Sequence, residues 1–231
     1  PHLVVRAVGD VYIADGADNE VREVSPDGTI TLFAGNGTAC SLPPACGDGG
    51  PATTAELNSP GGIAVGRAGN VYIADRGDNE VRRVSPDGTI TLFAGNGRRC
   101  SHPPACGDGG PARSARLKLP QGLAIDPAGD VYIADGGDNE VRKVSPSGRI
   151  TRVAGNGRAC SYPRLCDDGG RAVSARLNYP DGIAVAAGNV YVADRFDHEL
   201  RWLAAPRAKV APVRDPDGEL RSVAFAARVS H

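Results

Sequence analysis

The sequence predicts an all-β protein, a β-propeller of four blades with four antiparallel strands each, and an internal repeat is the main reason. The segment Val-Tyr-Ile-Ala-Asp begins at Val11, Val71 and Val131, and the variant Val-Tyr-Val-Ala-Asp begins at Val190. The starts are 60, 60 and 59 residues apart. Self-similarity at a fixed period of this size is typical of repeat architectures.

Each repeat carries segments of strand character separated by turn residues. In the second copy, four such segments cover residues 62–66, 71–75, 80–84 and 89–94. They are rich in β-branched residues, and the turns between them contain Gly, Asp and Ser-Pro-Asp-Gly. Four antiparallel strands in about sixty residues form one propeller blade.

The repeats fill the chain almost from end to end, so we expect a single domain over residues 1–231. Blade one should begin with a strand at residues 3–7, and blade four should end with an outer strand at residues 219–226, reached through a turn lengthened by residues 204–214. A wheel closed by this chain alone is favoured over an open piece that closes with another chain. The predicted blades are about 1–37 with loop 38–59, 60–97 with loop 98–119, 120–157 with loop 158–179, and 180–231.

Charge and hydropathy exclude some functions. The formal net charge is −1, which gives no general attraction to nucleic acid or to an anionic membrane surface. No apolar run approaches the roughly 18 residues that a membrane span needs. The sequence contains no Met and begins without a signal-like segment. We therefore expect a mature or excised piece of a longer product that does not insert into membranes.

Six cysteines occur as three equally spaced pairs, and each pair has five residues between its members. Local pairing respects the repeat, whereas a zinc site would need further ligands that do not recur at a fixed offset. Disulfides imply an oxidising, extracytoplasmic compartment. The predicted disulfide cysteines are Cys40 and Cys46, Cys100 and Cys106, and Cys160 and Cys166.

The repeated motifs resemble those of the NHL-repeat β-propellers. The resemblance is carried by Tyr-Ile-Ala-Asp, Asp-Asn-Glu-Val-Arg, Pro-Asp-Gly-Thr-Ile, Ala-Gly-Asn-Gly and Gly-Asp-Gly-Gly-Pro-Ala, and it covers almost the whole chain. The family includes extracellular sensor domains of bacterial receptor-like kinases, teneurin adhesion proteins, interaction modules of ubiquitin ligases and, more remotely, a peptide-amidating lyase. The cysteine pairs depart from the common pattern, and they fit an exported, bacterial-type member.

One face of the predicted propeller carries the long loops. Antiparallel order places the blade-to-blade loops and the turns between second and third strands on the same face. Four aspartates there form a ring that could hold a cation such as calcium in the axial channel, with His198 beside it. The alternative is that each Asp accepts hydrogen bonds from its own turn. The candidate ligands are Asp15, Asp75, Asp135, Asp194 and His198.

The charges of the loops differ between copies. Loop 38–59 has Asp48 and Glu56 and no basic residue, whereas the other two loops are basic. The pattern indicates either drift on solvated loops or a polarised surface that docks an acidic partner. The basic candidates for binding are Arg98, Arg99, Arg113, Arg116, Arg158, Arg164, Arg171 and Arg176.

The sequence favours a non-catalytic extracellular recognition module that binds a protein, peptide or glycan on the loop face and needs no cofactor. We expect a secreted location or the ectodomain of a membrane protein. A sensor domain of a receptor kinase is one alternative. The other is a cation-dependent lyase or hydrolase with its site in the axial channel.

Overall fold

The fold is given by a computed structural model. It describes residues 9–41, 46–101, 106–160 and 166–203 in full, and the backbone of residues 2–5 and 210–213. Four sheets of four antiparallel strands follow one another along the chain, with the strands of each sheet in sequence order. The predicted all-β, four-bladed architecture is therefore confirmed.

The strands of successive blades have closely matching bounds. Blade one contains β1 His2–Val5, β2 Val11–Asp15, β3 Glu20–Val24 and β4 Ile30–Ala34. Blade two contains β5 Pro60–Val65, β6 Val71–Asp75, β7 Glu80–Val84 and β8 Ile90–Ala94. Blade three contains β9 Pro120–Ile125, β10 Val131–Asp135, β11 Glu140–Val144 and β12 Ile150–Ala154. Blade four contains β13 Pro180–Ala186, β14 Asn189–Asp194, β15 Glu199–Leu203 and β16 Val210–Val213.

Short 3-10 turns lie between some of these strands. Three of them sit in the blade-to-blade loops, and two form the turn between the second and third strands of blades three and four. Their bounds are Ala52–Thr54, Ala112–Ser114, Ala172–Ser174, Gly136–Asp138 and Arg195–Asp197. No helix among the described residues is long and apolar enough to cross a membrane.

The outer strand of blade four corrects the sequence prediction. The prediction placed this strand at residues 219–226 and assigned residues 204–214 to a long turn. In the structure β16 at Val210–Val213 pairs with β15, with Leu203 opposite Val210. Val-Ala-Pro-Val can take this place because an outer edge strand tolerates the Pro that a central strand would exclude. Residues 219–226 lie outside the described part of the chain.

The hydrophobic core lies between blades. One cluster joins Tyr12 and Ala34 of blade one to Ile73 and Ile90 of blade two, together with Leu57 from the loop between them. Equivalent clusters join blade two to blade three and blade three to blade four. Each buried Ile or Leu contributes about 2 to 3 kcal/mol of transfer free energy. Every blade-to-blade loop is therefore part of the core as well as a connection.

The inner strands pack side by side in chain order, β1 on β5, β5 on β9 and β9 on β13. The inner strands can lie close together because glycines occupy the contact between them. A Cβ on Gly62 would lie 2.4 Å from the carbonyl oxygen of Gln121, and one on Gly122 would lie 2.4 Å from that of Asp181. Among the described strands, β13 and β1 do not pack in this way. Closure of the wheel by this chain alone therefore stays a prediction.

Candidate functional site: the cysteine-loop face

The cysteine loops and the second turn of each blade share one face, as the strand order predicts. The end of the first loop shows the contact directly. The backbone N–H of Gly77 donates to the carbonyl oxygen of Asn58 at 2.7 Å, and the N–H of Asn58 donates to Oδ1 of Asp75 at 2.7 Å. We call this surface the cysteine-loop face.

All three predicted disulfides are present. Cys40 bonds to Cys46, Cys100 to Cys106, and Cys160 to Cys166, with Cα atoms 5.7, 5.6 and 5.5 Å apart. All six cysteines are buried. The disulfides fix the start of a segment whose later residues, such as Ala52, Ala55 and Leu57 in the first loop, enter the core between blades.

A fully buried arginine in each of blades two to four holds the loop that comes before it. Arg82 donates from Nε and Nη2 to Oδ1 of Asp48, at 3.0 and 2.7 Å, and from Nη2 to the carbonyl oxygen of Cys46 at 3.3 Å. Arg142 makes the same bonds to Asp108 and Cys106, and Arg201 bonds to Asp168 and Cys166. A buried guanidinium needs such charged and carbonyl acceptors to offset the loss of hydration.

The predicted aspartate ring has partners within the protein. Oδ1 of Asp75, Asp135 and Asp194 accepts a backbone N–H at 2.6 to 2.7 Å, from Asn58, Lys118 and Asn178. Oδ2 of each faces the buried arginine of its own blade, at 3.4, 3.4 and 3.0 Å. Asp15 of blade one is half-buried. These N–H donors belong to the preceding blade-to-blade loop, so the bonds differ from the bond to its own turn that the sequence analysis gave as the alternative to a cation site.

Further carboxyl groups lie beside these aspartates. Burial raises the pKa of Glu80 from 4.5 to about 7, with Arg82 opposing the shift, and raises the pKa of Glu140 to about 7. Burial and the neighbouring Asp138 also raise the pKa of Asp135. Oε1 of Glu80 and Oε2 of Glu140 have no hydrogen-bond partner among the described residues. Burial therefore shifts the titration of these carboxyl groups to higher pH than in the unfolded chain.

Potential metal ligands come close together at three places in the described part of the chain. Among the described residues, three sets of ligand atoms from His, Cys, Asp or Glu lie within 4.8 Å of one another. Each set contains both sulfurs of a disulfide, which are not thiolates, and one carboxylate. The four predicted aspartates and His198 do not form such a set. Calcium in the axial channel stays a prediction without support from this arrangement.

His198 occupies a backbone position that Asn holds in the other blades. Its φ is 54°, and those of Asn19, Asn79 and Asn139 are 56°, 58° and 54°. Asn tolerates this left-handed conformation better than most residues. The Asn side chains have a second role, because Oδ1 of Asn79 accepts the N–H of Leu119 at 3.1 Å and so ties the turn to the next blade. The exposed His198 keeps the backbone shape of that turn.

Most of the predicted basic residues that the structure describes are exposed. Arg164 lies outside the described residues. Arg176 is half-buried and pairs with Asp167 at 3.0 Å, and the carbonyl oxygen of Arg116 accepts a bond from Arg142. The exposed members are Arg98, Arg99, Arg113, Arg116, Arg158 and Arg171. Loop acids Asp48, Asp108 and Asp168 are bound to the buried arginines, so they do not neutralise these side chains.

A second group, which the sequence analysis missed, spans three blades near the axis. The phenol oxygen of Tyr179 accepts from Nη2 of Arg76 at 3.3 Å and from Nε2 of Gln121 at 3.0 Å. Phe196 is 54% exposed, with its ring 5.3 Å from that of Tyr179, and the guanidinium of Arg195 lies over both rings. We call Arg76, Gln121, Tyr179, Arg195 and Phe196 the axial cluster.

Signals for these missed residues were present in the repeat. Arg22, Arg82, Arg142 and Arg201 recur at one strand position, and three of the loops carry an Asp after the second cysteine. The axial cluster occupies positions at which the copies differ. The counterparts of Phe196 are Ala17, Gly77 and Gly137, and those of Tyr179 are Ser59 and Leu119. A comparison of copies position by position would have singled out both sets.

Solved structures share the fold. A protein of unknown function from Bacteroides thetaiotaomicron matches with a TM-score of 0.65 and 20% identity, over 90% of this chain and 46% of that chain. A structure described as streptogramin B lyase matches with a TM-score of 0.55 and 12% identity, over 93% of this chain and 54% of that chain. At these identities the likeness shows the fold alone.

Proteins related in sequence identify the family, which the solved structures do not. Teneurin-1 of Mus musculus is 37% identical over 151 residues, which is 63% of this chain and 5% of that protein. Teneurin-m of Drosophila melanogaster is 29% identical over 217 residues, 89% of this chain and 8% of that protein. This chain thus spans less than a tenth of the length of these two relatives. The family model described as "Teneurin NHL domain" matches residues 2–85, 31–104 and 85–163. The chain therefore belongs to the teneurin NHL domain family.

Proposed function

We propose that the chain is a non-catalytic extracellular module that recognises an acidic segment of a partner protein on its cysteine-loop face. The observation that carries this proposal is the unneutralised positive charge of the second and third loops. Their exposed arginines remain on the surface, while Asp108 and Asp168 are held against buried guanidinium groups. Complementary charge speeds encounter and sets orientation between proteins.

The axial cluster supports recognition on the same face. It combines an exposed Phe, a Tyr and two Arg, and such side chains dominate the binding energy of protein interfaces. Arg195 already lies 5.4 Å from the centre of the Phe196 ring, so little conformational freedom would be lost on binding. The cluster would act as a central anchor, and the basic loops would form one side of the surrounding rim.

The family supports an extracellular protein-binding role over an enzymatic one, because the curated relatives are teneurins. Three disulfides fit that location. A glycan ligand is less favoured than a protein, since only 5% of the residues are aromatic.

The experiment begins with capture of a partner from extracellular proteins on the immobilised chain. Association rates of that partner are then measured for the wild type and for a variant in which Arg98, Arg99, Arg113 and Arg116 are replaced by Glu. We expect association to slow by at least about tenfold at low salt and to lose most of its salt dependence.

A matched pair of single substitutions controls for net charge. The first substitution, Arg98→Glu, changes a residue of the second cysteine loop. The second, Arg67→Glu, changes a residue of the turn after β5, on the opposite face. Only Arg98→Glu should slow association. Equal rates for the wild type and the fourfold variant would refute the proposed surface. A slower rate for Phe196→Ala alone would confine recognition to the axial cluster.

A further inference from the structure

The axial cluster is built from positions at which the copies of the repeat differ. Arg76 and Arg195 occupy the same position of the repeat, where blades one and three have glycine, at residues 16 and 136. Side chains that the scaffold itself needs recur in every copy, as Arg82 and its counterparts do. The repeating scaffold therefore does not require the axial cluster, and its side chains can serve a ligand.

Tyr179 lies at the centre of the axial cluster and is held from two sides. Its backbone N–H donates to Oδ1 of Asn139 at 2.8 Å, which ties it to blade three. Its phenol oxygen accepts from Arg76 of blade two at 3.3 Å and from the buried Gln121 of blade three at 3.0 Å. The ring and the hydroxyl group are thus positioned before any ligand arrives, which lowers the entropic cost of binding.

The hydrogen bonds of the axial cluster leave an excess of donors. A phenol oxygen has two acceptor sites and one hydrogen to donate. Arg76 and Gln121 occupy both acceptor sites of Tyr179, so its O–H is left to donate, and no described residue accepts that bond. Nε of Arg76 also has no acceptor among the described residues. The group that would complete this arrangement is therefore one that supplies acceptor oxygens.

The charge of the axial cluster favours an anionic acceptor over a neutral one. Nε of Arg195 lies 3.9 Å from Oδ2 of Asp181, which is a long ion pair on a partly exposed surface. Arg76 makes no ion pair within the described part of the chain, although its Nη2 is bonded to Tyr179. Two guanidinium groups thus face one carboxylate. A hydrogen bond from a guanidinium to an ionised carboxylate is stronger than one to a neutral oxygen.

An apolar surface lies beside these donors. Phe196 is 54% exposed, and its ring centre is 5.3 Å from that of Tyr179. The guanidinium of Arg195 lies 5.4 Å from the centre of the Phe196 ring and limits its movement. An exposed aromatic ring held in this way offers a large apolar contact area. A ligand that carries a carboxylate and a large apolar group close together would use both parts of the axial cluster.

We infer that the axial cluster binds one acidic side chain of the partner's acidic segment, next to a large apolar residue of that segment. The carboxylate would accept from the guanidinium of Arg76 and from the hydroxyl of Tyr179, and the apolar side chain would lie on the ring of Phe196. The inference rests on the proposed function, and it adds the pair of residues by which the segment is anchored.

The test uses two short peptides that differ in one charge, acetyl-Glu-Phe-amide and acetyl-Gln-Phe-amide. Each is titrated into the full chain, and nitrogen-15 NMR follows the side-chain signals of Arg76 Nε and Gln121 Nε2. We expect the Glu peptide to shift both signals with a Kd on the order of 1 mM, as befits a small ligand. The Gln peptide should bind at least about tenfold more weakly, because it loses the charge-assisted hydrogen bond.

Substitutions assign the contacts. Arg76→Gly restores the residue that blades one and three have at this position, and Tyr179→Phe removes only the hydroxyl group. Each should weaken binding of the Glu peptide by at least about fivefold. Phe196→Ala should weaken both peptides and leave the ratio of their affinities unchanged. Arg67→Gly, in the turn after β5, is the matched control and should leave the Kd unchanged.

Three results would overturn the inference. They are equal affinity for the two peptides, an unchanged Kd in Arg76→Gly, and tighter binding of acetyl-Phe, whose terminal carboxylate would identify a chain end as the ligand. The variant with four loop arginines replaced by Glu should still bind the Glu peptide within about twofold at moderate salt. If the wild type failed to bind the peptide while that variant slowed association of the partner, this inference would be wrong and the proposed function would stand.

Discussion

Arg142 of blade three is wholly buried, and its Nε lies 2.9 Å from Oδ1 of Asp108, which comes from the loop that leaves blade two. The same guanidinium also donates to the carbonyl oxygen of Arg116 at 3.1 Å and faces Oδ2 of Asp135 at 3.4 Å. One side chain thus joins two blades and their connecting loop. The pair is internal to the fold, whereas one interpretation of the sequence placed the loop charges in solvent.

Replacing this arginine should destabilise the fold strongly. Arg142→Met leaves the buried Asp135 without its cationic partner, and the expected loss in the free energy of unfolding is about 3 to 5 kcal/mol. Arg22→Met, at the same position of blade one, should cost less than about 1 kcal/mol because that side chain is partly solvated. Chemical denaturation of both variants measures the difference. Equal losses of stability in the two variants would mean that the contact between Arg142 and the loop contributes no specific stabilisation.

Two adjacent glycines of β5 provide a test of the close packing around the axis. A Cβ at Gly62 would lie 2.4 Å from the carbonyl oxygen of Gln121, whereas one at Gly61 would come no nearer than 3.6 Å to any neighbour. Gly62→Ala should therefore cost about 2 to 4 kcal/mol of stability, and Gly61→Ala less than about 1 kcal/mol. Thermal and denaturant unfolding of the two variants measure these losses of stability. If Gly62→Ala caused no loss of stability, the inner strands would be able to move apart at no cost in free energy.

Glu80 should make the folded protein less stable as the pH rises. Its pKa is about 7 in the folded state and 4.5 for the free group. Between these values the folded state holds a proton that the unfolded state has released, so the free energy of unfolding falls with rising pH. Glu80→Gln removes this penalty and should stabilise the protein by about 1 to 3 kcal/mol at pH 8 relative to its effect near pH 4.5.

The check is denaturant unfolding of the Glu80→Gln variant at both pH values, beside Glu23→Gln in blade one as the control. Only Glu80→Gln should gain stability at the higher pH. The groups that act on the Glu80 carboxyl are Arg82, Asp48 and Asp78. A gain of equal size at both pH values would mean that the carboxyl is ionised throughout and that burial does not control it.

Each disulfide should contribute modestly to stability because it closes a short loop. The paired cysteines are 6 positions apart in sequence, for which the chain-entropy relation gives about 2 to 3 kcal/mol per bridge. Replacing both Cys100 and Cys106 with Ser should lower the free energy of unfolding by that amount. Peptide mapping of the unreduced wild type should show pairing only within each loop. A bridge between loops would contradict the structure.

The sequence by itself determined the repeat, the fold class, the bounds of most strands and the three disulfides. It could do so because these depend on local patterns, such as β-branched and aromatic residues at Val71–Asp75, turn residues at fixed offsets, and cysteines close enough to pair without help from the rest of the fold. The outer strand of blade four was predicted wrongly, since Asp-Pro-Asp-Gly at residues 215–218 imitates the turn of the other blades. Pairing of Val210–Val213 with β15 is a contact between two segments of the chain, and no local pattern encodes it.

Only the tertiary structure decided how the charged residues divide between the interior and the surface. Arg82 and Arg22 occupy the same place in the repeat, yet one is buried against Asp48 and the other is partly solvated. Burial depends on what the neighbouring blade and loop bring to the site, which a single repeat cannot show. The axial cluster has the same origin, because Arg76, Gln121 and Tyr179 are up to 103 residues apart and meet where blades two, three and four converge.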